Sequence, residues 1–328
     1  MDLREHNIIQ ILKSTSNEEL KFIKNFFQSP FYNNLSKIVE LFEILRKFSP
    51  DFSSEKLNTN YLFKKLYPGS AYKHSTITNL ISKMQKLLEE YLIVSNIQKN
   101  PFKKNEFLLQ EYFGRNLKNL SYKNIFNLSM EEISKEDIDS DFFNTSFSYD
   151  TYRINYIMNY GFDSPKKAVE ILSQSFLNVN VNFINFFIME LMSNYINSII
   201  LLSTSDTNNV KSKIDKVISD LNIKQLIKNI EPYNKYTYII NLYLKLLEAF
   251  SNQNNIEYYH AYRKELFKNK DKLNRNEIYF HYSKLISYCF LRRNKSDNFD
   301  YEKEICDICE IVLNNEYYIS FESKFLPI

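Results

Sequence analysis

Between Lys56 and Leu88 the chain carries six lysines and no acid: Lys56, Lys64, Lys65, Lys73, Lys83 and Lys86. Local charge of this sign attracts phosphate. On a helix, Thr76, Asn79, Lys83 and Lys86 fall off the apolar stripe, where side chains can reach base edges and phosphates. With Lys64, Lys65, Lys73 and His74, the last three form a candidate nucleic-acid set. Lysines act as point charges that hold phosphate and carry little sequence information. The stretch has no arginine to grip guanine with two hydrogen bonds. The competing reading is a solvated basic face on an ordinary helix pair.

The other constellations are poorer. Cys306-Asp307-Ile308-Cys309 is a CxxC, but a zinc site needs four nitrogen or sulfur ligands, usually from two such pairs. Only Cys289 and four scattered histidines remain, so Cys306 and Cys309 are expected to pack as small apolar residues on a helix face with Ile305 and Val312. Asp137-Ile138-Asp139-Ser140-Asp141 starts like a calcium loop. Position six is Phe142 and position twelve is Ser148, so both the glycine turn and the bidentate acid are missing. Gly69, Gly114 and Gly161 stand alone, without the glycine-rich spacing that cradles phosphate. His260 and His281, near Tyr258, Tyr259 and Tyr282, suit a structural hydrogen-bonded cluster. Adjacent Glu89 and Glu90 are expected to be solvated. We therefore expect no catalytic residues, no metal and no cofactor.

These residues must be positioned by helices. Three glycines and seven prolines in 328 residues leave little material for hairpins or tight β-turns. Ser16-Asn17-Glu18-Glu19 reads as a capping box after a first helix over Leu3–Lys13. A further helix follows near Leu35–Phe48. Asn58–Tyr67 is a short helix stopped by Pro68-Gly69. Ser75 is expected to cap the next, whose stripe is Ile77, Leu80, Ile81, Met84, Leu87, Leu88, Tyr91 and Leu92. Tyr67 and Tyr72 flank the corner and are expected to pack against it.

Beyond Pro101 the periodicity places helices near 103–115, 119–135, 146–160, 165–176, 181–203, 209–220, 233–250, 254–268, 275–293 and 301–314. Ser164-Pro165 and Glu231-Pro232 are helix starts. Starts at 233 and 275, and at 254 and 301, are about 42 and 47 residues apart, which is looser than a tetratricopeptide repeat and nearer the HEAT type. The fold class expected is all-α: an N-terminal helical region, 1–97, with a helix-turn-helix-like segment at 58–92, then an αα-repeat (TPR/HEAT-like) array over 98–328.

Formal net charge is +3, too small to imply a nucleic-acid or membrane partner globally. Three cysteines fit a reducing compartment, and the first residues lack an apolar signal core. Phe183–Ser203 is nearly long enough to span a bilayer, but Asn185, Glu190, Asn194 and Asn197 interrupt it, so a buried central helix is expected instead. The chain is expected to be cytoplasmic, with no membrane partner.

The stretches FIKNFFQSPFYNN (Phe22–Asn34), LFKKLYPGSAYKHSTITNLISKMQKLLEEYL (Leu62–Leu92) and YYHAYRKELF through EIYFHYSKLISYCF together resemble a family of bacterial helical-repeat proteins. That resemblance implies a helical array and no particular activity. Its members continue past the apolar end at Phe325–Ile328, which implies an N-terminal portion. Leu62–Leu92 also resembles the helix-turn-helix half of the winged-helix domain in bacterial transcriptional activators, although IVSNIQKNPFKKNEF shows no wing hairpin. The leading expectation is a non-enzymatic protein-interaction scaffold, because repeat arrays expose a continuous concave surface. The alternative is a nucleic-acid-binding transcriptional regulator using Lys56–Lys86.

Overall fold

The computed structural model describes residues 1–127, 138–162, 164–202, 208–295 and 299–317. Every regular element among them is helical. The chain divides into two compact units, 1–108 and 109–328. The division falls inside the helix Pro101–Gly114.

Unit 1 contains α1 (Asn7–Lys13), α2 (Asn17–Gln28), α3 (Ser36–Arg46), α4 (Thr59–Leu66), α5 (His74–Lys99) and the start of α6 (Pro101–Gly114). The 26-residue α5 is its spine, and α1, α2, α3 and α4 all pack on it. Its buried side is Ile77, Leu80, Ile81, Met84, Leu88 and Tyr91, meeting Leu41, Phe42, Leu62 and Phe63 in one apolar cluster. Ser16 caps α2 by accepting from Glu19 N at 3.1 Å, and Asn58 caps α4 by accepting from Tyr61 N at 2.9 Å. α1 starts later than its periodicity suggests. Leu3 is extended, and its N–H donates to Leu57 O at 2.9 Å beside an antiparallel bridge between Asp2 and Asn58. The bridge places Leu3 in the core, fully buried. Phe52 holds a positive φ of 47°. That conformation costs roughly 1–2 kcal/mol, a cost offset by burying the whole ring.

Unit 2 continues with α7 (Lys118–Asn127), α8 (Ser140–Tyr160), α9 (Pro165–Leu202), α10 (Asn208–Asp220), α11 (Ile223–Ile230), α12 (Thr237–Ser251), α13 (Ile256–Asn269), α14 (Arg275–Arg292) and α15 (Tyr301–Asn314). The two helices expected over 165–203 are one helix of 38 residues. No glycine or proline interrupts it after Pro165, and Asn180 folds its amide back onto Phe176 O at 2.7 Å instead of breaking the turn. α11 is a helix that the periodicity did not suggest. Glu231-Pro232 opens a single 3₁₀ turn, and α12 follows only at Thr237. Asp139 is the N-cap of α8, accepting from Phe142 N at 2.9 Å; Asp137 and Phe325–Ile328 lie outside the described residues.

α8 packs along α9, α12 along α13, and α14 along α15, with α12 also against α9. α9 is long and apolar enough to cross a membrane by length and composition, and only 39% of its most apolar window is buried. The expected fully buried helix is therefore half right. Ile188, Met189, Met192, Ile196 and Ile199 face the core, while Val169, Phe176, Phe183 and Leu201 face out.

The core of unit 2 is crossed by polar groups. His281 is fully buried. Its Nδ1 shares a 2.8 Å hydrogen bond with Tyr262 Oη, and its Nε2 lies 3.7 Å from Glu277 Oε2. Tyr243 donates to that carboxylate at 3.0 Å. Tyr258 and Tyr282 do not enter this cluster. His260 sits apart, with its ring edge-on to Phe299 at 5.2 Å.

Burial, with Lys284 adding repulsion, holds His281 down to about 3 from an ordinary 6.5. The folded state thus keeps the imidazole neutral over a range in which the unfolded chain protonates it. Stability from this group is complete above about pH 6.5 and declines as pH falls toward 3, by at most about 1.4 kcal/mol per pH unit. Between pH 6.5 and 5, above the carboxylate range, the urea midpoint should fall with acidification. In His281→Gln that dependence should flatten.

Candidate nucleic-acid interface

The candidate set gathers around the corner between α4 and α5. Lys64 and Lys65 occupy the last turn of α4, where positive charge complements the helix dipole. Lys73 is the N-cap of α5 and His74 its first residue. Asn79, Lys83 and Lys86 follow at helical spacing on one outward face of α5. All seven side chains are exposed, as is Lys56. Among the described residues, none of the six lysines forms an ion pair. Lys65 instead stands over the Tyr61 ring at 5.9 Å.

Ser75 does not cap α5. The helix begins at His74, two residues sooner than a Ser75 cap would set it, and its N-cap Lys73 supplies no side-chain acceptor. Free first-turn amides, the positive end of the helix dipole and two basic side chains therefore coincide, which favours an anion at that point.

The corner spans Tyr67 to Lys73, longer than the three to four residues typical of a DNA-reading helix-turn-helix. Tyr72 holds the extra length down. Its ring meets Phe63 edge-on at 5.3 Å, and its hydroxyl bonds both Thr59 Oγ1 at 2.9 Å and His74 Nδ1 at 3.0 Å. Tyr67 packs on Phe63 at 5.0 Å. Both tyrosines do pack against the corner. α5 runs to Lys99 and α6 begins at Pro101, so no hairpin follows.

Two participants were not legible in the sequence. Lys37, on α3, donates to Leu66 O at 3.1 Å and so caps the end of α4 from 29 residues away. It is partly neutralised by Glu40 at 2.6 Å. Thr59, fully buried, anchors the Tyr72–His74 relay; only its place beside the N-cap Asn58 hints at this. Glu89 and Glu90 are exposed as expected, and Glu89 accepts from Gln85 at 2.8 Å.

Away from the corner, the CxxC differs from its expectation. The buried stripe of α15 is Tyr301, Glu304, Ile308 and Val312. Glu304 enters the core because Arg263 at 2.6 Å and Tyr259 at 2.9 Å both bond it. That rotation turns Cys306 outward and leaves Cys309 half-buried. Cys289 is the core cysteine. Burial pushes its thiol up to about 11, and its Sγ donates to Tyr259 Oη at 3.5 Å. Among the described residues, no three His, Cys, Asp or Glu side chains gather to hold a metal ion. In comparisons with known proteins, no family model, curated protein or solved structure matches the chain.

Two outcomes follow. Removing the Tyr72 hydroxyl as Tyr72→Phe keeps the ring on Phe63 and should cost about 1 kcal/mol, the net worth of a partly buried hydrogen bond, read as a lower urea midpoint. An aromatic disulfide reagent should label Cys306 first, Cys309 more slowly and Cys289 only on unfolding, with mass spectrometry assigning the order.

Proposed function

We propose that the protein is a non-enzymatic, cytoplasmic helical scaffold whose partner is another protein. On this reading the helix pairs α12–α13 and α14–α15 are successive units of an αα-repeat, and unit 1 is its docking head. The observation that supports it is the basic face of unit 1: six exposed lysines without an ion-pair partner among the described residues, beside an uncapped helix start. A face of unneutralised point charges suits an acidic protein segment, which needs charge but no base reading. No membrane partner is part of this reading.

A second reading, a nucleic-acid-binding regulator, is favoured by one specific feature: Asn79, Lys83 and Lys86 lie along a single outward face of α5. The long corner and the absence of arginine weigh against sequence reading.

Purification of the native protein with nuclease treatment should retain a protein partner that salt releases and that Lys83→Ala with Lys86→Ala loses. If the partner survives that double change, the basic face is not the docking surface. In parallel, an anisotropy titration at about 0.15 M salt should find no genomic fragment preferred over random DNA. A preference of a thousandfold or more, abolished by the same double change, would replace the scaffold with the regulator.

A further inference from the structure

The N-terminal half of α9 is apolar on the side turned away from its own core. Val169, Phe176 and Phe183 recur every seven residues and are 63%, 49% and 48% exposed. Half-buried Leu172 and Val179 fall between them, and Phe186, the next d position, is half-buried against the unit's own core. Together they make an a/d heptad seam, the pattern by which one helix packs knobs into the holes of another. Ser173 and Asn180 flank it on the open side, both exposed and uncharged. On the other side stands α8, whose Phe147 ring meets Phe183 at 5.4 Å.

We infer that this seam pairs with the same seam of a second copy of the chain, antiparallel. Size and charge both select that occupant. In an antiparallel coiled pairing an a residue faces a d residue. Setting Phe176 opposite Val179 of the second copy puts Leu172 opposite Phe183 and Val169 opposite Phe186. Every aromatic ring then meets an aliphatic side chain, the alternation of large and small that lets facing layers interdigitate. The same register brings Glu190, at the next a position, level with Pro165-Lys166 of the other copy, at both ends of the seam. Parallel pairing would instead set Glu190 against Glu190. No charged e-position residue on the open flank opposes self-association. The pairing does not rest on the scaffold reading, and it uses no residue of the basic corner.

Sedimentation equilibrium on the full chain tests it. The expected result is a dimer with a Kd of about 10 μM or tighter. Phe176→Glu should make it monomeric with an unchanged helical circular-dichroism spectrum. If that variant misfolds, exposed Asn180→Glu provides a milder disruption and should weaken the dimer. The register is read separately: Glu190→Lys should weaken the dimer about fivefold, two exposed ion pairs being lost, and Lys166→Glu added to it should restore the affinity. A chain that stays monomeric overturns the proposal. So does a dimer indifferent to Phe176→Glu and Asn180→Glu, a charge reversal without rescue, or a chain that associates only with lipid vesicles.

Discussion

Two carboxylates buried in the core of unit 2 set how its last four helices fit. A carboxylate removed from water costs several kcal/mol unless it is bonded. Glu277 on α14 is satisfied by Tyr243 of α12, and Glu304 on α15 by Tyr259 and Arg263 of α13. In each case the donor lies in the preceding helix pair. Apolar packing supplies the driving force but is non-directional. The acids add direction. A slip of one helical turn, about 5.4 Å, would leave each charge buried and unpaired, at a cost on the order of 3–5 kcal/mol. The cost of burial also explains the neutral His281 and the raised Tyr243 and Tyr262 hydroxyls beside it.

Much of this architecture was legible in the residues. Glycine scarcity and 3.6-residue periodicity lead to an all-helical chain, and Ser16 and Asn58 mark true helix starts. The failures have two causes. Ser75 is a good cap by type, but with the Tyr72–His74 hydrogen bond in place the helix starts two residues sooner. Leu3 looks helical by period and is captured by a bridge to a segment more than fifty residues away. Cys306 looks like a core position until Arg263 and Tyr259 pull Glu304 inward. The last two were decided by partners distant in sequence, which local pattern does not contain; the first was decided by a side-chain contact two residues apart. The candidate site was legible as a composition, six lysines without an acid. Its supports, Lys37 and Thr59, were not.

The corner of unit 1 combines a firm interior with an unreinforced exterior. Phe63, Tyr67 and Tyr72 pack beneath it, and a short hydrogen-bonded chain from Thr59 to His74 fixes its path. Outside, the lysines extend into solvent. Charges presented in this way attract anions over distance and place little geometric demand on them.

Lys284 joins α14 to α9. Its ammonium donates to Asn197 at 2.6 Å and stands over the Phe280 ring at 4.9 Å. Burial lowers its pKa to about 8. Near neutral pH a larger share of this half-buried lysine is therefore uncharged than of an ordinary one, so the tie between the two helices weakens as a cation and persists as a hydrogen bond when pH rises through 8.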